Sequence, residues 1–125
     1  GGDVSVVTWG AMVYTADEAA AKLADEGVEI EILDLRTLIP WDRDAVLESV
    51  RRCSKVLVLH EDTRTGGFGA EIAATIAEEA FEDLDAPVKR IAAPDAPVPF
   101  SPPLEKAYIP QVDDVVAGLR ELAAY

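Results

Sequence analysis

The chain has 125 residues, half of them apolar, and a formal net charge of −13 from 24 acidic and 11 basic residues. This apolar fraction suits one folded domain over residues 1–125 and argues against intrinsic disorder. The negative charge argues against nucleic acid and anionic membranes as partners, and favours a basic partner or an acidic solvated surface. The longest nearly apolar stretch, at 6–14, is too short to span a bilayer.

Cysteine usage and the opening residues predict the compartment. A single cysteine, Cys53, rules out an intramolecular disulfide. The opening GGDVSVV has no basic segment followed by an apolar one, so no signal peptide is expected. We therefore predict a cytoplasmic protein, or a mitochondrial matrix protein if the source is eukaryotic.

Strands and helices are predicted to alternate along the chain. Runs of β-branched and apolar residues predict four strands, at 4–9, 28–35, 55–60 and 88–93. Apolar residues at helical spacing predict four helices, at 12–26, 43–52, 70–83 and around Val112–Leu122. The first helix is expected to turn Val13, Ala16, Ala20 and Leu23 inward, and Asp42 is a good N-cap for the second helix.

This alternation implies βαβ units and a parallel sheet with helices on both faces. The predicted fold class is α/β, a three-layer α/β/α domain with a mainly parallel sheet in the strand order 2-1-3-4. The switch point then falls between strands 1 and 3, at Trp9–Gly10 and His60–Glu61, where folds of this type bind ligands.

A glycine-rich turn, TGGFGAEI, follows the third strand and raises the question of a dinucleotide site. Gly67-x-Gly69 is followed by Ile72, where a phosphate-binding fingerprint has its third glycine. Glu71 would lie beside any bound phosphate, and it complements the helix dipole instead. The favoured interpretation is a flexible turn and a close-packed helix start.

His60 is the only histidine, and it ends the predicted central strand. A general base at the carboxyl end of a strand is one interpretation. No serine, cysteine or second histidine is placed to complete a nucleophilic triad, and one His with one Cys makes no zinc site. A structural or interface role is therefore favoured over catalysis.

Five carboxylates crowd the end of the third predicted helix, within EEAFEDLDAP: Glu78, Glu79, Glu82, Asp83 and Asp85. A helix C-terminus prefers cations, and the nearest cation in sequence is Lys89. Each unfavourable contact costs a few tenths of a kcal/mol, up to about 1 kcal/mol. Two interpretations stay open, a docking patch for a basic partner and a generally acidic surface.

Several runs agree in order and spacing with one known family: DVSVVTWGAMVYTADEAA, EILDLRTLIPWD, HEDTRTGGFGAEIA and LDAPVKRIAAPDAPVPFSPPLEKAYIPQ. Over essentially its whole length, the chain resembles the C-terminal domain of the β subunit of thiamine diphosphate-dependent 2-oxo acid dehydrogenases. That domain belongs to the wider transketolase C-terminal-domain family. The resemblance implies an oxidoreductase of the branched-chain or pyruvate type. It also implies an additional antiparallel strand before DVSVVTW, outside this chain, so the second strand is expected to be an open edge.

The resemblance further implies an assembly role. In the family, thiamine diphosphate and magnesium are held by the α subunit and by the N-terminal domain of the β subunit, which this chain lacks. The chain alone is therefore expected to be inactive, with no catalytic, cofactor-binding or metal-binding residue. It is expected to contribute to the β–β contact of an α2β2 heterotetramer and to dock the peripheral subunit-binding domain of the acyltransferase.

The docking contact that the resemblance implies is a charge clamp. Asp85, in the LDAP segment, and Tyr125, with a free carboxylate, would meet basic side chains of the binding domain. Glu82 and Asp83 are assigned to the same patch. The residues assigned to the subunit interface are His60, Glu61, Phe68 and Phe100. The alternatives are the C-terminal domain of another transketolase-like thiamine enzyme, or a free-standing ligand-binding α/β module with its ligand in the Gly10/His60 crevice.

The segment PDAPVPFSPP, at 94–103, contains five of the eight prolines. Proline fixes φ and removes a backbone donor, so an extended strap is expected here. The strap either wraps the sheet end of its own domain or faces a neighbouring subunit, and the exposure of Phe100 would distinguish these two cases.

Overall fold

The computed structural model of the protein describes residues 2–36, 38, 40–63, 67–93 and 109–125. The strands are β1 (Val4–Thr8), β2 (Ile30–Asp34), β3 (Val56–Thr63) and β4 (Lys89–Ala93). The α-helices in these ranges are α1 (Met12–Ala24), α2 (Arg43–Cys53), α3 (Phe68–Glu79) and α4 (Val112–Ala123). A short 3₁₀ turn, Phe81–Asp83, follows α3. The strap at 94–103, with Phe100, lies outside the described residues.

The four strands form one parallel sheet in the order β2-β1-β3-β4, which confirms the predicted order. Along β1, Val4 lies opposite Ile30 of β2, and Ser5 lies opposite Val56 of β3. The pairing of β3 with β4 shifts register after Leu59, where β3 continues beyond its predicted end. Because β1 and β3 are central, their carboxyl ends lie side by side at the switch point.

Two apolar cores lie on opposite faces of the sheet, under α1 and α4 on one face and under α2 and α3 on the other. The three-layer prediction is therefore confirmed. The inward face of α1 consists of Met12, Ala16, Ala19 and Leu23. The prediction of Val13 and Ala20 was wrong, because both lie at the margin of this stripe and are only partly buried.

The boundaries of α3 differ from the predicted 70–83. The helix begins at Phe68, because Gly67 takes an extended conformation (φ −72°, ψ 159°) and caps it. It ends at Glu79, because Ala80 leaves the helical region at φ −123°. No helix in the described part of the chain is both long and apolar enough to cross a membrane.

A buried hydroxyl pair joins α2 to β1. Ser5 Oγ and Ser49 Oγ are 2.7 Å apart, and both residues are fully buried. We expect Ser49→Ala to lower the free energy of unfolding by about 1–3 kcal/mol, because the buried Ser5 hydroxyl then loses its hydrogen-bond partner and cannot reach water instead. Adding Ser5→Ala to that variant should recover part of the loss, as measured by urea denaturation. A double variant less stable than Ser49→Ala would contradict this account.

A charged cluster links β2 to the end of α2. The Arg52 guanidinium pairs with Glu31 and donates to Glu48 Oε1 at 2.9 Å, while Cys53 Sγ lies 3.2 Å from Glu31 Oε2. Desolvation tends to raise the pKa of Glu31, but hydrogen bonds from Arg52 and Cys53 outweigh it and hold the pKa below its ordinary value. Burial raises the pKa of the Cys53 thiol.

Acid should weaken this cluster. Because the folded-state pKa of Glu31 is lowered, its contribution is present above the ordinary glutamate pKa and is lost as the pH falls through the folded value. We expect Arg52→Met to be less stable than the unmodified chain near neutral pH, by a small amount since the pair is partly exposed. The difference should shrink as the pH falls below the ordinary glutamate pKa and through the lowered folded-state pKa of Glu31. A difference that grows on acidification, measured by thermal unfolding, would refute this account.

Candidate functional site

Aromatic side chains contact one another near the switch point at the carboxyl ends of β1 and β3. Trp9, directly after β1, stacks on the imidazole of His60 in β3, with ring centroids 5.3 Å apart and planes 7° apart. Phe68, at the start of α3, meets Trp9 edge-on at 6.3 Å and Trp41 edge-on at 6.4 Å. Among the described residues, the chain's own rings therefore occupy part of the crevice where a ligand was considered.

His60 lies between Trp9 and the first turn of α3. The residue is fully buried. A Cβ placed on Gly69 would lie closer than 3.0 Å to both Nε2 and Cδ2 of the ring. The predicted close-packed helix start is confirmed, since Gly69 lets α3 approach the imidazole. With its ring beneath the surface, His60 can act on a subunit interface only through the residues that it supports.

The other residues assigned to the subunit interface have different surroundings. Glu61 is exposed at the rim of the sheet. Phe68 is partly buried, and its ring contacts two tryptophans of its own chain. Phe100 lies outside the described residues.

Two of the residues assigned to partner binding, Asp85 and Tyr125, lie where the amino ends of the parallel strands come together, which is the amino edge of the sheet. The Asp85 backbone N–H donates to the carbonyl of Ser54 at 2.8 Å. The ammonium of the next residue, Lys55, donates to the backbone oxygens of Ala123 at 3.3 Å and Tyr125 at 3.2 Å. The short segment before β3 therefore brings Asp85 and Tyr125 to one edge, although they are 40 residues apart in sequence. Tyr125 is 62% exposed there.

Two arginines of α2 lie against the acidic end of α3. Arg43 pairs with Glu79, and Arg51 Nε lies 3.6 Å from Asp83 Oδ2. The cost inferred from the sequence was therefore overstated, because a neighbouring helix supplies cations that are distant along the chain. Asp83, which was assigned to the docking patch, forms an ion pair with Arg51.

Glu82 and Asp85 remain as the exposed acids of the patch. Within the described ranges, neither has an ion-pair partner. An exposed carboxylate with no internal partner keeps its full charge available to a second molecule. The arrangement is suited to binding a basic side chain of another molecule.

A groove runs beside these two acids. It has a volume of about 1020 Å³ and lies between the outer face of α3 and the segment from Phe81 to Val88. Its floor is formed by Ala70, Ala73, Ala74 and Ala77. Phe81 stands at its edge and is 72% exposed. Sequence reasoning missed this groove, although the i, i+3, i+4, i+7 spacing of the alanines could have indicated a second apolar face on α3.

Side chains of the types that bind metal ions lie apart from one another in the part of the chain that the structure describes. No three of its histidine, cysteine, aspartate and glutamate side chains come together as a set that could hold a metal ion.

The fold and the sequence agree with one family. The family model described as "Transketolase, C-terminal domain" matches residues 1–115, and the chain belongs to this family. The predicted family membership is thus confirmed.

Named relatives are similar over nearly the whole chain. The chain is 42% identical to the 2-oxoisovalerate dehydrogenase subunit beta of Bacillus subtilis, covering 100% of the chain and 38% of that protein. It is 47% identical to the acetoin:2,6-dichlorophenolindophenol oxidoreductase subunit beta of Cupriavidus necator, covering 97% and 36%. It is 44% identical to a mitochondrial pyruvate dehydrogenase E1 component subunit beta-1 of Arabidopsis thaliana, covering 93% and 32%. The chain spans about a third of the length of these relatives.

Solved structures agree on the fold. A split gene transketolase, described as an inactive beta4 tetramer, superposes with a TM-score of 0.83 at 31% identity, covering 99% of the chain and 39% of that protein. The 2-oxoglutarate:ferredoxin oxidoreductase of Magnetococcus marinus gives a TM-score of 0.65 at 17% identity, covering 98% and 18%, and shows the fold alone.

Proposed function

We propose that this chain is the assembly domain of the β subunit of a 2-oxo acid dehydrogenase, an oxidoreductase of the branched-chain or pyruvate type. Its similarity to the β subunits of a 2-oxoisovalerate dehydrogenase and a pyruvate dehydrogenase supports the parentage. One observation supports the assembly role: Asp85 and Tyr125 lie at one edge of the sheet, and the exposed acid Glu82 lines the same groove as Asp85.

Thiamine diphosphate and magnesium are proposed to be held elsewhere in the parent enzyme. The described residues do not fit such a group, because they gather no set of three metal ligands. At the start of α3, the His60 ring lies directly against Gly69. When bound in the parent enzyme, the cofactor would supply the decarboxylation chemistry. The residues of this chain then contribute packing and contacts.

The carboxyl edge of the sheet is the proposed contact to the other subunits of an α2β2 assembly. Glu61 is exposed there, and Phe68 and His60 support the surface from below. Apolar packing beneath a rim with an exposed charge resembles the composition of many subunit interfaces.

The amino edge is the proposed dock for the peripheral subunit-binding domain of the acyltransferase. Glu82 and Asp85 would meet basic side chains of that domain, and Tyr125 would be the second arm of the clamp. The Lys55 ammonium already donates a hydrogen bond to the backbone oxygen of Tyr125. We therefore expect most of the electrostatic attraction to the binding domain to come from Glu82 and Asp85.

The charge variant Glu82→Gln/Asp85→Asn tests this proposal. We expect it to weaken binding of the acyltransferase's peripheral subunit-binding domain about tenfold at low salt, because it removes both uncompensated charges. The loss should shrink at about 1 M salt, where screening acts over only a few ångströms. Titration calorimetry of the domain against the chain measures both values.

A matched control changes the same charge elsewhere. Asp17→Asn/Glu18→Gln neutralises two exposed acids on α1 and should leave the affinity within about twofold, because only long-range attraction is lost. Equal losses in both variants would show that net charge alone drives binding. An unmodified chain that does not bind the domain would overturn the proposal.

A further inference from the structure

The helix α3 has two apolar faces, and only one of them is covered. Gly69, Ile72 and Ile76 face the core and are buried. The other face has alanine at positions 70, 73, 74 and 77, and Ala74 and Ala77 are exposed. In a chain with a net charge of −13, charged residues would be the expected choice for a solvent-facing helix.

This second face is the floor of the groove, and larger apolar side chains form its edge. Phe81 is 72% exposed, and Leu84 and Val88, both partly buried, line the opposite side. An exposed aromatic ring beside a continuous apolar groove is unusual on a highly charged surface and marks an interaction site.

The charges around the groove are mainly negative. Glu82 and Asp85 line it and have no ion-pair partner within the described ranges. Arg90 also lines the groove from β4, and it is engaged in an interaction of its own. A second copy of the chain would present the same two acids, so a symmetric contact here would place like charges together.

We propose that this groove binds an amphipathic helix of a protein partner, with its apolar stripe on the alanine floor and lysine or arginine residues beside the two acids. Alanine projects little beyond the backbone, so a second helix can approach α3 at the short end of the usual 8–10 Å separation. An apolar helix face in a groove, flanked by complementary charges, is a common mode of recognition. Phe81 then lies against the apolar stripe of the bound helix.

The inference rests on the docking proposal above where the two share Glu82 and Asp85, and it adds an apolar contact that the charge clamp does not contain. The two contributions respond differently to salt. Attraction between charges is screened as salt rises, whereas apolar burial is not weakened by it.

The probe is a labelled helical peptide of about four turns, with leucines on one face and lysines beside them, together with a scrambled peptide of the same composition. Fluorescence anisotropy measures its affinity for the chain at low salt and at about 1 M salt. The variant Ala74→Gln/Ala77→Gln places two larger polar side chains on the exposed floor. The matched control, Ala21→Gln/Ala24→Gln, changes two exposed alanines at the same helical spacing on α1.

We expect the floor variant to bind the peptide at least about tenfold more weakly at both salt concentrations, with the control variant unchanged. Glu82→Gln/Asp85→Asn should weaken binding mainly at low salt. Equal binding of the scrambled peptide, or equal losses in the floor and control variants, would overturn the inference.

The same variants separate this inference from the docking proposal. In one outcome, the peripheral subunit-binding domain loses affinity only in the charge variant, and the peptide binds the floor variant as well as the unmodified chain. The docking proposal then stands, and the groove inference fails. If the peptide requires the floor but the domain does not bind the chain, the groove stands and the docking proposal fails.

Discussion

Replacing Gly69 with alanine is expected to lower the free energy of unfolding by about 2–3 kcal/mol. The added Cβ would lie closer than 3.0 Å to two atoms of the His60 ring, which is fully buried and stacked on Trp9. The ring cannot rotate away without breaking that stack, so α3 must shift from the sheet. This penalty exceeds the gain of up to about 1 kcal/mol that alanine brings to a helix interior.

A second helical glycine provides the control. At Gly118 in α4, an added Cβ would lie 2.7 Å from Ile91 Cδ1 and 3.3 Å from Lys89 Cε, which are the ends of flexible side chains. These can move, so Gly118→Ala should change stability by no more than about 1 kcal/mol. In urea denaturation, equal effects at the two positions would mean that the His60 ring is not fixed as described.

Truncation of Leu119 is the second large expected effect. The side chain is fully buried in the core under α1 and α4. We expect Leu119→Ala to lower the free energy of unfolding by about 3–4 kcal/mol, through lost burial and the cavity left behind. Because α4 leads to Tyr125 at the amino edge, partial detachment of this helix should also disturb the proposed docking surface.

The matched control for Leu119 is Leu84→Ala. Leu84 is only partly buried beside the groove, so its truncation should cost about half as much or less. Chemical denaturation with comparable m-values is needed for both variants, since a change in slope would report a change in the unfolded state. Similar losses for the two leucines would contradict the assignment of the core.

The strand order followed from the sequence because it rests on a strong pattern. The β-branched residues of Val4–Thr8 and the continuous apolar run Val56–Leu59 identify central parallel strands, and alternation with helices leaves few topologies. Boundaries were less predictable. The end of α3 depends on the conformation of Ala80, and the extension of β3 depends on an irregular pairing with β4, which local sequence does not encode.

In the candidate site too, individual residues could be identified from the sequence, whereas contacts between residues distant along the chain could not. Glu82, Asp85 and Tyr125 could be singled out from the sequence, and the structure brings Asp85 and Tyr125 to one edge through Ser54 and Lys55. The compensation of Asp83 by Arg51 could not be foreseen, because the two side chains meet only when α2 packs beside α3. The contact between Gly69 and His60 is likewise a product of packing.

The groove had a local signal, but it was ambiguous. Alanine at 70, 73, 74 and 77 is also what a good helix former would use without any packing partner. Only the position of Phe81 and the segment after it shows that this face is one side of a groove.

The central claim is that the amino edge of the sheet docks the acyltransferase and that the carboxyl edge does not. Amide NMR spectra of the isotope-labelled chain, recorded with and without the peripheral subunit-binding domain, test it most directly. The account predicts shifts at residues 81–88 and 121–125. Shifts confined to Gly10, Tyr14 and Glu61 at the opposite edge, or no shifts at a saturating concentration of the domain, would contradict it.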